Sequence, residues 1–262
     1  MDHANTAALP LERLLRRDRT LVLLGLGGAA LLSWLYLVPA ALDMYGEMDG
    51  LSAWMMAATW DLRYLALMFG MWSVMMVGMM LPSAAPAILL YGRVVQARAA
   101  GPPVARVYAF AGGYLLAWTG FSLVATLVQW GLSRAALVSP MMESRSAALG
   151  GTLLIVAGVY QWTAFKQSCL TQCRSPMGFL SRHWRPGVGG ALRMGIAHGL
   201  YCLGCCWALM GLLFVGGVMN LWCIAGITLF VLLEKLAPYG MQGGRLSGVL
   251  LVGAGTWMLI GG

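Results

Sequence analysis

Long apolar windows alternate with short polar breaks along the whole chain, and this alternation restricts the fold more than any other feature. A helix needs ~20 mostly apolar residues to cross a bilayer. Seven windows approach or exceed that length: about 20–39, 64–90, 107–131, 147–165, 191–213, 215–233 and 246–261. The break at Gly216-Gly217 is the least sharply drawn, because 191–233 can be divided in other ways. Hydrophobic residues make up 60% of the chain and charged residues 10%, which excludes an ordinary soluble domain. The 35 glycines suit helices that pack closely in lipid. The expected fold is all-α, a polytopic transmembrane helix bundle of about seven spans, forming a single integral membrane domain over 1–262.

A net charge of +8 would also suit a nucleic-acid partner, but the distribution of the charge argues against one. With the N-terminus inside and the spans alternating, the inner segments hold fourteen of the basic residues, among them Arg13, Arg16, Arg17, Arg19, Arg93, Arg98, Lys166 and Arg174. The outer segments hold three, Arg63, Arg134 and Arg145, beside Asp43, Glu47, Asp49, Asp61 and Glu143. This positive-inside bias gives N-in/C-out with seven spans. Residues 1–19 are then a cytoplasmic tail and 166–190 a cytoplasmic loop carrying cysteines. Arg16-Arg17 faintly resembles a twin-arginine signal, but the apolar run after it is about 19 residues, the length of an uncleaved helix rather than a signal core.

Nineteen Met and six Cys divide between the two sides of this topology. Cys169 and Cys173 fall in the inner loop, and Cys202, Cys205 and Cys206 enter span five from the same side. Thiols facing a reducing compartment suit metal binding or thiol exchange better than stable disulfides. On a 3.6-residue helix His198, Cys202 and Cys205 lie within roughly 60° of arc. Cys169 and Cys173, four apart, share a helical face or chelate from a loop. The methionines gather in the outer loops, as Met44, Met48, Met55, Met56, Met141 and Met142, and along span two. There Met68, Met71, Met75 and Met79 fall within about 80° of one face. Thioether and thiolate together select Cu(I), and a His/Cys site also suits Zn(II). At ~1.5 Å per residue, Met75 and Met79 descend to the level that His198 and Cys202 reach from inside. A sulfur ladder across the membrane follows if spans two and five face each other. Met stripes also occur as plain core filling.

Three other features are weighed against this site. Pro82 and Pro86 predict a kink or broken turn in span two. Glu234-Lys235 reads as an interfacial ion pair, or Glu234 as a way-station for a proton or metal. Asp61 reads as interfacial, or as a point of cation capture. Phosphate loops and nucleophile triads find no credible context, and with three His in the chain a bis-His haem site has no support.

Several segments together resemble a bacterial family of predicted metal-binding integral membrane proteins, a domain of unknown function. They are Met75-Met76-Val-Gly-Met79-Met80-Leu-Pro82, Tyr160-Gln161 through Cys169-Leu-Thr-Gln-Cys173-Arg-Ser-Pro176, and His198-Gly-Leu-Tyr-Cys202-Leu-Gly-Cys205-Cys206-Trp207, with Val215-Gly-Gly-Val-Met219-Asn220 and Glu234-Lys235-Leu-Ala-Pro238. The resemblance implies a metal role at the Cys and His positions and no settled substrate.

The expectation is a Cu(I) transporter without a nucleotide-hydrolysing motif. Met68, Met71, Met75 and Met79 would relay the ion, His198, Cys202, Cys205 and Cys206 would hold it, and Cys169 and Cys173 would exchange it with a cytosolic carrier. A periplasmic carrier is an equivalent partner on the other face. The alternatives are a membrane thiol-disulfide oxidoreductase, the enzymatic reading, and a non-transporting metallochaperone or assembly factor for a metalloenzyme.

Overall fold

The computed structural model describes residues 5–44, 60–98, 103–139 and 142–261, with side chains from residue 20 onward. Met48, Met55, Met56, Met141, Glu47 and Asp49 lie outside the described residues. The elements are α1 (Asn5–Met44), α2 (Leu62–Ala97), α3 (Pro103–Arg134), α4 (Ala147–Tyr160), α5 (Ala164–Arg174), α6 (Pro176–His183), α7 (Gly187–Gly211), α8 (Leu221–Leu236) and α9 (Gly240–Gly261), with a helical turn at Leu213–Gly216 after α7. No strand occurs among the described residues beyond one isolated bridge between Val138 and Ser144.

Five helical stretches are long and apolar enough to cross a membrane: Thr20–Met44, Leu62–Ala97, Val104–Arg134, Gly187–Gly216 and Gly240–Gly261. A sixth is the pair α4 and α5, bent by 65° between them. Tyr160 ends α4 and Thr163 caps α5 by accepting from the Lys166 amide, so the bend is built from an ordinary helix stop and restart. The remaining expected window, 215–233, overlaps α8, whose 16 residues begin at Leu221, run on to Leu236 and are fewer than a full span needs.

Within the expected segment 166–190, α5 and α6 occupy most of the length, and α5 packs against α7. Residues 5–19 are helical and continuous with the rest of α1.

Burial separates central from peripheral helices. Over half of the apolar windows of α2 and α7 is buried, against 22% for α1 and 17% for α9. The exposed faces of the peripheral helices are themselves apolar, with Leu24, Leu32 and Leu35 on α1 and Leu250, Trp257 and Ile260 on α9. An exposed apolar face of this extent suits lipid rather than water.

The closest backbone approach joins α3 to α7. A Cβ on Gly195 would collide with the Phe110 carbonyl, and one on Gly113 with the Leu192 carbonyl. Small residues at both contact points let the two helices meet at backbone distance. Gly158 and Gly248 do the same for α4 and α9.

Pro82 and Pro86 lie inside one continuous helix, so the expected break does not occur. Proline at 82 deprives the Gly78 carbonyl of its usual donor. The indole Nε1 of Trp34 on α1 supplies one, at 3.2 Å. The helix survives because a neighbour satisfies the freed acceptor.

Candidate metal centre

Cys202 lies on the buried face of α7, one turn beyond His198, and side chains from two other helices reach its thiol. From α8, Lys235 Nζ donates to Cys202 Sγ at 2.9 Å and to Ser83 Oγ of α2 at 2.9 Å. From α3, the Tyr114 hydroxyl stands 3.0 Å from Cys202 Sγ and donates to the Met80 carbonyl at 3.1 Å. From α5, Cys173 packs half-buried against the same core. Cys205 and Cys206 each donate to the Cys202 carbonyl at 3.0 Å, which fixes the direction of both thiols.

Cys206 also reaches the thioether of Met80, with 4.0 Å between the sulfurs. This answers whether spans two and five meet. Their backbones do not pack closely, since α3 lies tight against α7 and also contacts α2. They meet through Met80–Cys206 and through Tyr114, which touches both helices. The glycine contact at Gly113 and Gly195 holds α3 near enough for Tyr114 to reach the thiol.

Cys169 is buried against α7, its sulfur 2.7 Å from where a Gly204 Cβ would stand. Gly204 therefore makes room for the thiol, and Tyr160 donates a hydrogen bond to the carbonyl of the same glycine. His198 packs among Phe110, Tyr114 and Phe179, with ring centroids 5.0–6.0 Å away. Its Nδ1 is buried and has no hydrogen-bond partner. A buried polar atom without a partner is uncommon, and here it is a lone-pair or N–H position open to a ligand.

Met68, Met71, Met75 and Met79 are all fully buried along α2, as the stripe predicts, but Met76 and Met80 are buried as well. Met68 Sδ accepts from Gln129 Nε2 at 3.6 Å, and Gln129 Oε1 accepts from Trp72 Nε1 at 2.7 Å. The methionine that touches a thiol is Met80, about 100° around the helix from Met79 and outside the expected face.

The Glu234-Lys235 reading is corrected. Neighbours on a helix point about 100° apart and cannot pair with each other. Both are buried. Glu234 pairs with Lys166 of α5 at 2.7 Å, and Lys166 also donates to Gln161. Lys235 turns to Cys202 instead. Arg174 donates to the Glu234 and Pro238 carbonyls, tying the end of α5 to the end of α8. Asp61 is the N-cap of α2, accepting from the Tyr64 amide at 2.8 Å, which gives it a structural task.

Sequence reasoning missed Tyr114 and Lys235 as neighbours of the Cys202 thiol, and Ser83 and Lys166 as their supports. Lys235 and Lys166 carried a detectable signal, since a charge within an apolar segment faces a partner. Tyr114 and Ser83 carried none, because both residue types are common in membrane helices.

Among the described residues no group of three or more His, Cys, Asp or Glu is arranged to hold one ion. The thiols of Cys205 and Cys206 instead turn to the Cys202 carbonyl, with the Met80 thioether 4.0 Å from Cys206. Thiolate and thioether donors are soft, and such sets favour Cu(I).

A protein-family model described as PpoB2, copper chaperone, matches residues 69–258, which includes every side chain placed around Cys202 above. No curated protein and no solved structure matches.

Proposed function

This chain belongs to the PpoB2 copper chaperone family, and from that premise we propose that it is a membrane-embedded Cu(I) chaperone. It takes the ion onto the thiols around Cys202 and passes it on by ligand exchange. One observation carries the reading: Cys202, Cys205 and Cys206 are buried together on α7, Cys205 and Cys206 both turned to the Cys202 carbonyl, with Met80 against Cys206. Soft donors that can each be exchanged for another suit an ion that must be held and then released. Cys169, one helical turn before Cys173 on α5, and His198, with its open Nδ1, are the adjoining ligands.

In this reading the apolar outer faces of α1 and α9 contact lipid. The positive-inside bias sets the N-terminus in the cytoplasm of a bacterial inner membrane, with about seven crossings if α8 counts as one. A carrier on the cytosolic or periplasmic side donates or accepts the ion. Catalysis has no part in it; the thiol-oxidoreductase alternative requires a mixed disulfide between Cys202 or Cys205 and a partner.

A second reading, transport, draws support from the buried methionines of α2. They run from Met68 to Met80, where the thiols begin. Zn(II) suits the arrangement less well, since structural zinc sites are four-coordinate and closed.

The test is anaerobic Cu(I) loading of the full chain purified in detergent, wild type beside Cys202→Ser, with metal counted by elemental analysis. Copper retained by the wild type and lost from the variant supports the proposal. A wild-type protein that retains no copper overturns it. Copper flux into proteoliposomes would move the assignment from chaperone to transporter.

A further inference from the structure

Lys235 is the least expected member of the thiol cluster. An ammonium is expensive to bury unless its charge is balanced. The carboxylate next to it in sequence does not balance it, because Glu234 is taken by Lys166 at 2.7 Å. The buried charges here are two lysines and one carboxylate, and the carboxylate is paired with Lys166, so the charge of Lys235 is left over. Its contacts are the Cys202 thiol and the Ser83 hydroxyl. Tyr114 meets the same thiol at 3.0 Å, and Cys205 and Cys206 turn to the carbonyl of the same cysteine.

We propose that Lys235 is a specificity-determining residue, the built-in counter-cation of the copper-holding thiols, which tunes them to a monovalent ion. The proposal rests on the Cu(I) reading above. Two thiolates, one Cu(I) and one ammonium sum to zero charge. A divalent ion on the same two thiolates leaves one uncompensated positive charge beside Lys235, where low dielectric magnifies the cost. A third thiolate would cancel that charge, but among the described residues no three such ligands are arranged about one point. Charge and ligand number therefore act in the same direction. Ser83 keeps the ammonium on the thiol side, since its hydroxyl holds Nζ from α2 while α8 supplies the side chain.

The experiment measures Cu(I) affinity against a colorimetric Cu(I) chelator and Zn(II) affinity against a zinc indicator, anaerobically, on the full chain in detergent. Lys235→Met and Lys235→Gln are expected to lower the Cu(I)-over-Zn(II) affinity ratio by about tenfold or more, because the term they remove scales with the charge of the ion. Lys235→Arg keeps the charge and is expected to keep the ratio within about threefold of wild type. A well-folded neutral variant with the wild-type ratio overturns the proposal. So does an Arg variant whose ratio falls, and this arm remains decisive if the neutral variants do not fold. If the wild type binds no Cu(I), the chaperone reading fails first, and the two failures are distinguishable.

Discussion

The methionine column of α2 and the thiols around Cys202 are built on opposite principles. Along α2, Met68, Met71, Met75, Met76 and Met79 are buried without charge, and among the described residues their one polar side-chain contact is the Gln129 amide on Met68. Around Cys202, thiols are surrounded by Lys235, Ser83 and Tyr114, with Lys166, Glu234 and Arg174 behind them. A thioether fills space and asks for no partner. A buried lysine or carboxylate asks for a specific one. The methionine column should therefore tolerate replacement, while the thiol end should depend on each pairing.

The largest effect is expected where a pairing is cut on one side only. Lys166→Met leaves Glu234 buried beside Gln161 without its cation. Such one-sided cuts cost roughly 3–5 kcal/mol. The double change Lys166→Met with Glu234→Leu removes both charges and is expected to recover most of that loss. Thermal unfolding of the three proteins in one detergent compares them. If the double variant is as unstable as the single one, the thiol end depends on packing and the contrast with α2 is lost.

A smaller loss is expected at the backbone contact that brings Tyr114 to Cys202. Gly195→Ala places a methyl group against the Phe110 carbonyl, which is backbone and cannot step aside. The helices must separate, at a cost of about 1–3 kcal/mol. Because Tyr114 follows Gly113 on the displaced helix, Cu(I) affinity should fall together with stability. Gly112→Ala, where a Cβ meets nothing within 4 Å, is the control. Equal effects from the two would show that α3 is not positioned by this contact.

These differences also explain what the sequence revealed. Hydropathy displayed the all-α architecture and most long helices, because lipid imposes a length and a composition on each crossing. It did not distinguish the 166–190 segment as helix, since α5 contains Lys166, Gln167, Thr171, Gln172 and Arg174 and looks like a loop by composition. It could not show that Lys166 turns inward. Spacing placed Cys202 and Cys205 on one face of α7, and burial agrees. Periodicity selected Met79 as the last rung of the ladder, whereas Met80 makes the contact with Cys206. A stripe gives the average direction of a face, while a contact depends on which neighbouring helix stands there. The partner of Lys235 was equally hidden, because it lies 33 residues away on another helix.

The smallest effect is expected in the methionine column, and it tests the contrast from the other side. Met75→Leu with Met79→Leu exchanges thioethers for hydrocarbon of nearly the same volume. Such swaps usually cost less than about 1.5 kcal/mol each, so unfolding in detergent should shift little. If α2 is only packing, equilibrium Cu(I) affinity and the rate of copper loading both stay at wild-type values. If the column relays the ion, affinity stays and loading slows, because the thiols that set the equilibrium are intact. Met80→Leu supplies the internal standard, since it removes the thioether 4.0 Å from Cys206 and should weaken binding itself. A Met75/Met79 variant that loses as much affinity as Cys202→Ser would mean that thioethers and thiols form one continuous site, and the division between a passive column and a paired cluster would be wrong.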